Sequence, residues 1–219
     1  GLASPARCRA EPLKAFRLNA LGTATVLDAA REAGARRFLL ASSRLVADQP
    51  GDPYAISKAV AEQWTSVYAR DFPGGTLAVR LANGYGPGQE AGAVVPDFFE
   101  KAADGRALYE GDPAASVPLI YVEDVAEALA LLVEAEDVGG VVGVGGEEVP
   151  LVDLARFVSA LAHGERAGGP SHAEPATRAA PDARLEGLGW APRVSWMDGG
   201  RRAWAAWRSQ PVAGTVRAP

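Results

Sequence analysis

At 219 residues the chain can form one large domain or two small ones, and its 48% hydrophobic and 22% charged residues match soluble globular proteins. No apolar run nears the roughly 18 residues of a membrane-spanning helix, and a net charge of −5 with scattered arginines argues against both membrane and nucleic acid as partners. Cys8 is the only cysteine and the two histidines, His163 and His172, have none nearby, which excludes a disulfide framework and a zinc-type site and points to a cytoplasmic protein with a small-molecule partner.

From Glu11 to Ala33, apolar residues at Leu13, Phe16, Leu18, Leu21, Val26, Leu27 and Ala30 recur at helical spacing, and Gly34 stops the segment. RFLLASS, Arg37 to Ser43, is a short apolar run of the kind buried on both faces of a parallel sheet. Asp52 and Pro53 then open a helix as N-cap and first residue, running to about Asp71 before Pro73, Gly74 and Gly75. TLAVRLAN, Thr76 to Asn83, reads as a second buried strand ending in the turn-rich GYGPG. Further on, Val94 to Ala103 reads as a helix, Pro118 to Val122 as a strand, Glu123 to Glu136 as a helix, Val141 to Val144 as a strand and Leu151 to Ala162 as a helix. Residues 164 to 181 form a loop rich in Gly, Pro and Ala, and a frayed tail is expected after Arg208. Helices alternating with strands predict an α/β fold around a parallel sheet.

Tyr54 and Lys58 stand one helical turn apart, on one face of the second helix. An ammonium beside a phenol favours phenolate and lowers the tyrosine pKa, which suits a general acid/base. Ser43 falls at the carboxyl end of the preceding strand, where ligands bind in open α/β sheets. Five tyrosines and three lysines (Lys14, Lys58, Lys101) would produce such a Y-x-x-x-K pair by chance roughly 0.07 times, so the surrounding series decides its meaning. GVVGVGG, Gly140 to Gly146, is not a G-x-G-x-x-G phosphate loop, because the sixth residue from Gly143 is Glu148; it reads as a strand and turn. Trp190, Trp196, Trp204 and Trp207 read as packing residues.

The ordered series GTATVLDAAREAGARRFLLASS, DPYAISKAVAEQ, LAVRLANGYGPG, GDPAASVPLIYVEDVAEAL, GVVGVGGEEVPLVDLA and DARLEGLGWAP resembles the extended short-chain dehydrogenase/reductase superfamily, the NAD-dependent epimerase/dehydratases of nucleotide sugars. The resemblance spans Gly1 to about Trp204. It implies a catalytic set of Ser43, Tyr54 and Lys58, with Tyr54 moving a proton as hydride passes between a sugar carbon and NAD or NADP, and with Lys58 also holding the nicotinamide ribose. Gly84 would lie near the nicotinamide. Asn83 would touch the nucleotide sugar, although an Asn before Gly is also a good turn residue. Arg178 would reach the substrate diphosphate, or simply be solvated in its loop. Tyr121 and Asp124 match a strand and helix start that support the sheet.

The same resemblance predicts the C-terminal half of a Rossmann-type sheet with a small α/β substrate-binding domain. Residues 1–90, with 117–136 returning to it, would form the first part, residues 91–116 and 137–208 the second, and 209–219 a disordered tail. The family's glycine-rich pyrophosphate turn belongs to the half of the sheet that precedes Gly1. By the usual size of βαβ units that half amounts to roughly 70–80 residues; as Gly1 is no initiator and Met197 is the only methionine, a fragment or a chain completed by a partner is expected over a naturally cofactor-free enzyme, with cofactor binding by the chain alone weak or absent. Val117 stands where many family members carry a diphosphate-gripping arginine. Arg44 and Leu45 stand where dehydratases carry an acid pair, leaving an epimerase or ketoreductase acting on a nucleotide-linked or activated sugar. The rival reading is a cofactorless homologue serving as a binding or assembly partner. Either reading predicts a homodimer through helices 12–33 and 54–71.

Overall fold

The computed structural model describes residues 1–89, 91–164 and 182–209, which fall into two compact units. The larger holds residues 1–82, 125–144 and 182–191. Its sheet has three parallel strands in the order β1 (Phe38–Ser43), β2 (Thr76–Leu81), β5 (Gly140–Val144), with Phe38 opposite Thr76 and Ser43 opposite Leu81. Leu77, Val79 and Val142 are fully buried, as an apolar strand covered on both faces requires.

The expected long first helix is a composite: α1 (Pro5–Ala10), α2 (Pro12–Ala15), a π-helical turn (Phe16–Leu21) and α3 (Gly22–Glu32). Asn19 is buried in the π turn, where its amide accepts from the Leu2 N–H at 2.6 Å and donates to the Leu2 carbonyl at 3.0 Å and to Ser57 Oγ at 3.0 Å. A buried amide satisfied off its own helix accounts for the widened turn, which periodicity alone does not reveal. Gly34, at a φ of 70°, closes α3 as expected, with Gly34 N–H to Arg31 O and Ala35 N–H to Ala30 O. A short α4 (Leu45–Asp48) follows β1. Then α5 (Pro53–Val67) opens on the Asp52 side chain, which accepts from the Tyr54 N–H at 2.8 Å, with Pro53 in the first turn.

The smaller unit holds residues 83–124, 145–164 and 192–209. Strand β4 (Ser116–Tyr121) lies between a parallel β3 (Asn83–Tyr85) and an antiparallel β6 (Glu147–Pro150). Helices α6 (Val94–Ala103), α8 (Leu151–Ala162) and α10 (Trp196–Ser209) bring aromatic side chains into one core. Phe99 meets Trp204 at 5.2 Å, Trp204 stacks on Trp207 at 5.3 Å and Phe157 meets Trp196 edge-on at 5.0 Å. Each such pair contributes about 0.5–1.5 kcal/mol beyond its buried area. All four tryptophans read as packing residues are buried. Asp124 accepts the backbone N–H groups of Arg193 and Val194, tying the loop before α10 to α7 (Val122–Glu134).

The compact units divide after Ala82, where Asn83 leaves the larger sheet and pairs opposite Leu119 of β4. Residues 117–124 therefore belong to the smaller unit. Residues 140–144 belong to the larger, since β5 pairs with β2. Gly140, Gly143 and Gly146 share a three-residue spacing, yet a strand and not a helix follows them, so the run is no phosphate turn. Gly146 serves packing, because a Cβ there would drive into the Leu119 carbonyl.

Candidate active site

The larger unit brings Ser43, Tyr54 and Lys58 together. Ser43 ends β1, and its Oγ also accepts from the Leu45 N–H at 3.2 Å, which fixes the chain as it leaves the sheet. The Asp52 cap places Tyr54 in the first turn of α5, where its phenol is buried and the Ser43 hydroxyl acts on it as a polar neighbour. One turn later, Lys58 Nζ donates to the Ala41 carbonyl at 2.8 Å and sits 6.0 Å from the Tyr54 ring centre. Two consecutive residues near the end of β1 are thus tied to α5, Ala41 to Lys58 and Ser42 to Glu62, just before Ser43.

Burial pushes the Tyr54 phenol above the ordinary tyrosine value, more than the Ser43 hydrogen bond pulls it down, and the nearby Cys8 thiol adds to the rise. The expectation that Lys58 lowers this pKa is therefore corrected. Burial holds the Lys58 amine below its ordinary value, Cys8 and Glu62 act against that, and its hydrogen-bonded partner is a main-chain carbonyl. Burial of Asp52 alone would raise its carboxyl, but the Arg9 hydrogen bond and the amides of Tyr54 and Ala55 bring it below the usual carboxylate range. The cap stays charged and holds Tyr54 in place.

Sequence reasoning missed Asn19, Ser57 and Glu62 beneath this site. Ser57 Oγ donates to the Tyr54 carbonyl at 2.7 Å and accepts from Asn19, so a chain of bonds runs from Leu2 to the tyrosine's own backbone. The only signal for Asn19 in the sequence is an amide inside an apolar helical run. Asn83 and Gly84 lie in β3 of the smaller unit, both exposed, with Gln89 Nε2 donating to the Gly84 carbonyl at 2.9 Å. Arg178 lies outside the described residues. Val117 is buried in the aromatic core of the smaller unit. Among the described residues, no group of three His, Cys, Asp or Glu is placed to hold a metal, and no helix is long and apolar enough to cross a membrane.

Comparison with known proteins places these features. Residues 1–145 match the model of the NAD dependent epimerase/dehydratase family. Over 206 residues, 83% of this chain and 64% of the relative, the chain is 32% identical to the low-salt glycan biosynthesis protein Agl12 of Haloferax volcanii. It is 27% identical over 209 residues to human dTDP-D-glucose 4,6-dehydratase, covering 59% of that protein. The chain thus spans less than two thirds of the length of these relatives. A crystal structure of Thermus thermophilus UDP-glucose 4-epimerase in complex with NAD matches with a TM-score of 0.76 and 26% identity, over 95% of this chain and 75% of that one. Because that family model matches residues 1–145, well over half of the chain, this chain belongs to the NAD-dependent epimerase/dehydratase family.

Proposed function

We propose that the protein is an NAD(P)-dependent epimerase or ketoreductase of a nucleotide-linked or otherwise activated sugar, working through Tyr54. The observation that carries this reading is the buried Tyr54 in the first turn of α5, with the Lys58 ammonium one turn on and 6.0 Å from its ring. Tyr54 is the proton donor and acceptor at a sugar oxygen, and Ser43 hydrogen-bonds the same oxygen. Burial keeps the phenol in its acid form, the state that protonates a ketone oxygen. A bound nicotinamide supplies the hydride donor or acceptor.

The residues present fit the nicotinamide end of such a cofactor. The Ala41 carbonyl takes one of the three Lys58 hydrogens, and the others suit ribose hydroxyls. Gly84 is assigned to the nicotinamide by the family resemblance. Asn83 and Arg178 are assigned to the sugar and its diphosphate. Of the reactions named among the relatives, epimerisation or ketone reduction is favoured over dehydration, because Arg44 and Leu45 follow Ser43 where an acid pair is needed. Arg44 is itself paired with Asp48 at 2.6 Å.

Leu13, Phe16, Leu18, Leu21, Ile56, Trp64 and Val67 are 45–66% exposed on the helices assigned to the dimer contact. So much apolar surface supports a homodimer there. Calorimetric titration with NAD(H) of a protein carrying the family's complete nucleotide-binding half tests the reading. Saturable binding that Lys58→Met weakens is expected. No binding would leave the rival, an assembly partner without redox chemistry, to use the same apolar face.

A further inference from the structure

Tyr54, Lys58 and Glu62 succeed one another at one-turn intervals along α5, so their side chains share a face. Two of them belong to the site above. Glu62 does not, yet it is buried and carries the most elaborate bonding of the three. Its carboxylate accepts from Ser42 Oγ at 2.5 Å and takes a bidentate pair from Arg80, Nε at 2.9 Å and Nη2 at 2.7 Å. Ser42 and Arg80 face each other in the β1–β2 register, so the two grips on Glu62 come from adjacent strands at one level of the sheet. A buried carboxylate is costly unless every lone pair is served, and here a planar guanidinium and a hydroxyl serve it.

We infer that Glu62, clamped by Arg80 and Ser42, is a positioning residue that sets the register between the end of β1 and α5 and so holds the Ser43 hydroxyl against the Tyr54 phenol. This inference deepens the reading above. Two hydrogen bonds tie the end of β1 to α5, Lys58 to the Ala41 carbonyl and Ser42 to Glu62, and the next strand residue is Ser43. A contact between the neutral Ser43 and Tyr54 hydroxyls, in a site that must also admit substrate, by itself fixes β1 weakly. The charge-assisted Ser42–Glu62 bond next to it is the stiffer one. Glu62 touches neither phenol nor hydroxyl, and its effect passes through the strand.

The test is carbon NMR of protein labelled at the tyrosine ring Cζ, at neutral pH, with the Tyr54 line assigned by its loss in Tyr54→Phe. That line reports the hydrogen bond at the phenol and needs neither cofactor nor turnover. Glu62→Gln is expected to move it in the direction that Ser43→Ala does, and the double variant is expected to coincide with Ser43→Ala alone. Should Glu62→Gln fail to fold, Glu62→Asp, which keeps the charge but withdraws it by one methylene, and Arg80→Lys, which loses the fork, are expected to move the line the same way. A Tyr54 line at its wild-type position in folded variants with a lowered Tm overturns the inference, since the clamp would then serve stability only. With the nucleotide-binding half present, Glu62→Gln is expected to cut kcat about tenfold or more with KM for the sugar nearly unchanged, and Glu62→Asp to recover part of it. If the NMR coupling holds while the wild type turns over no sugar, the positioning claim stands and the catalytic reading falls.

Discussion

Lys58 is the residue whose part is best separated from its neighbours. It is one of three lysines in the chain, buried enough to be held below its ordinary pKa, and bonded to the strand that ends in Ser43. Lys58→Met should weaken NAD(H) and cut kcat/KM about a hundredfold or more, while Lys58→Arg, too broad for the Ala41 contact, should recover little. Steady-state kinetics beside calorimetry would check both. At this scale the sequence showed which residues meet but not their electrostatics. Spacing puts a lysine one turn from a tyrosine, whereas the sign of the tyrosine's shift depends on burial, which comes from α1, α2 and the end of β1 closing over the phenol in three dimensions. Asn19 and Glu62 were invisible for the same reason, since a polar residue in a helix announces a buried network only when its partners are known.

The elements were largely legible. Strands β1, β2 and β5 and helices α5, α6 and α8 stand within a few residues of where apolar runs and caps put them. What failed was the path between sheets: TLAVRLAN is one apolar run, and nothing in its composition marks Ala82 as the point where the chain leaves one sheet for another. The edge of β5 shows how such a sheet is finished. Arg184 donates to the carbonyls of Gly139 and Val141, and Asp182 accepts from the Gly143 N–H, so side chains serve the edge strand. The Arg184 hydrogen bond is the main reason that the Asp182 carboxyl falls to about 2 from an ordinary 3.8. A carboxyl depressed in the fold contributes stability that is present above its unfolded pKa and is lost as pH falls through its folded one. Asp182→Asn should therefore lower Tm at neutral pH, and the gap from the wild type should close between about pH 4 and pH 2 in thermal melts. In the smaller unit, a Cβ at Gly200 would lie 2.6 Å from Phe157 Cε1. Gly200→Ala should cost about 1–3 kcal/mol in denaturant unfolding, because the ring is already held edge-on by Trp196.

For the whole molecule, the ordered motifs carried the family resemblance, and the dimer remains a proposal that puts its contact on the exposed apolar face of α2, the π turn and α5. Leu21→Arg combined with Trp64→Arg should convert a dimer to a monomer in light scattering without unfolding it, because both side chains are about half exposed or more within one protomer. An unchanged mass would place the contact elsewhere. The central claim is the chemistry of Tyr54, and the most direct measurement is the turnover of Tyr54→Phe in a protein carrying the complete nucleotide-binding half. Phenylalanine keeps the ring and its packing and removes only the hydroxyl. The account predicts a fall in kcat of about a hundredfold or more with NAD(H) still bound; turnover equal to the wild type would contradict it.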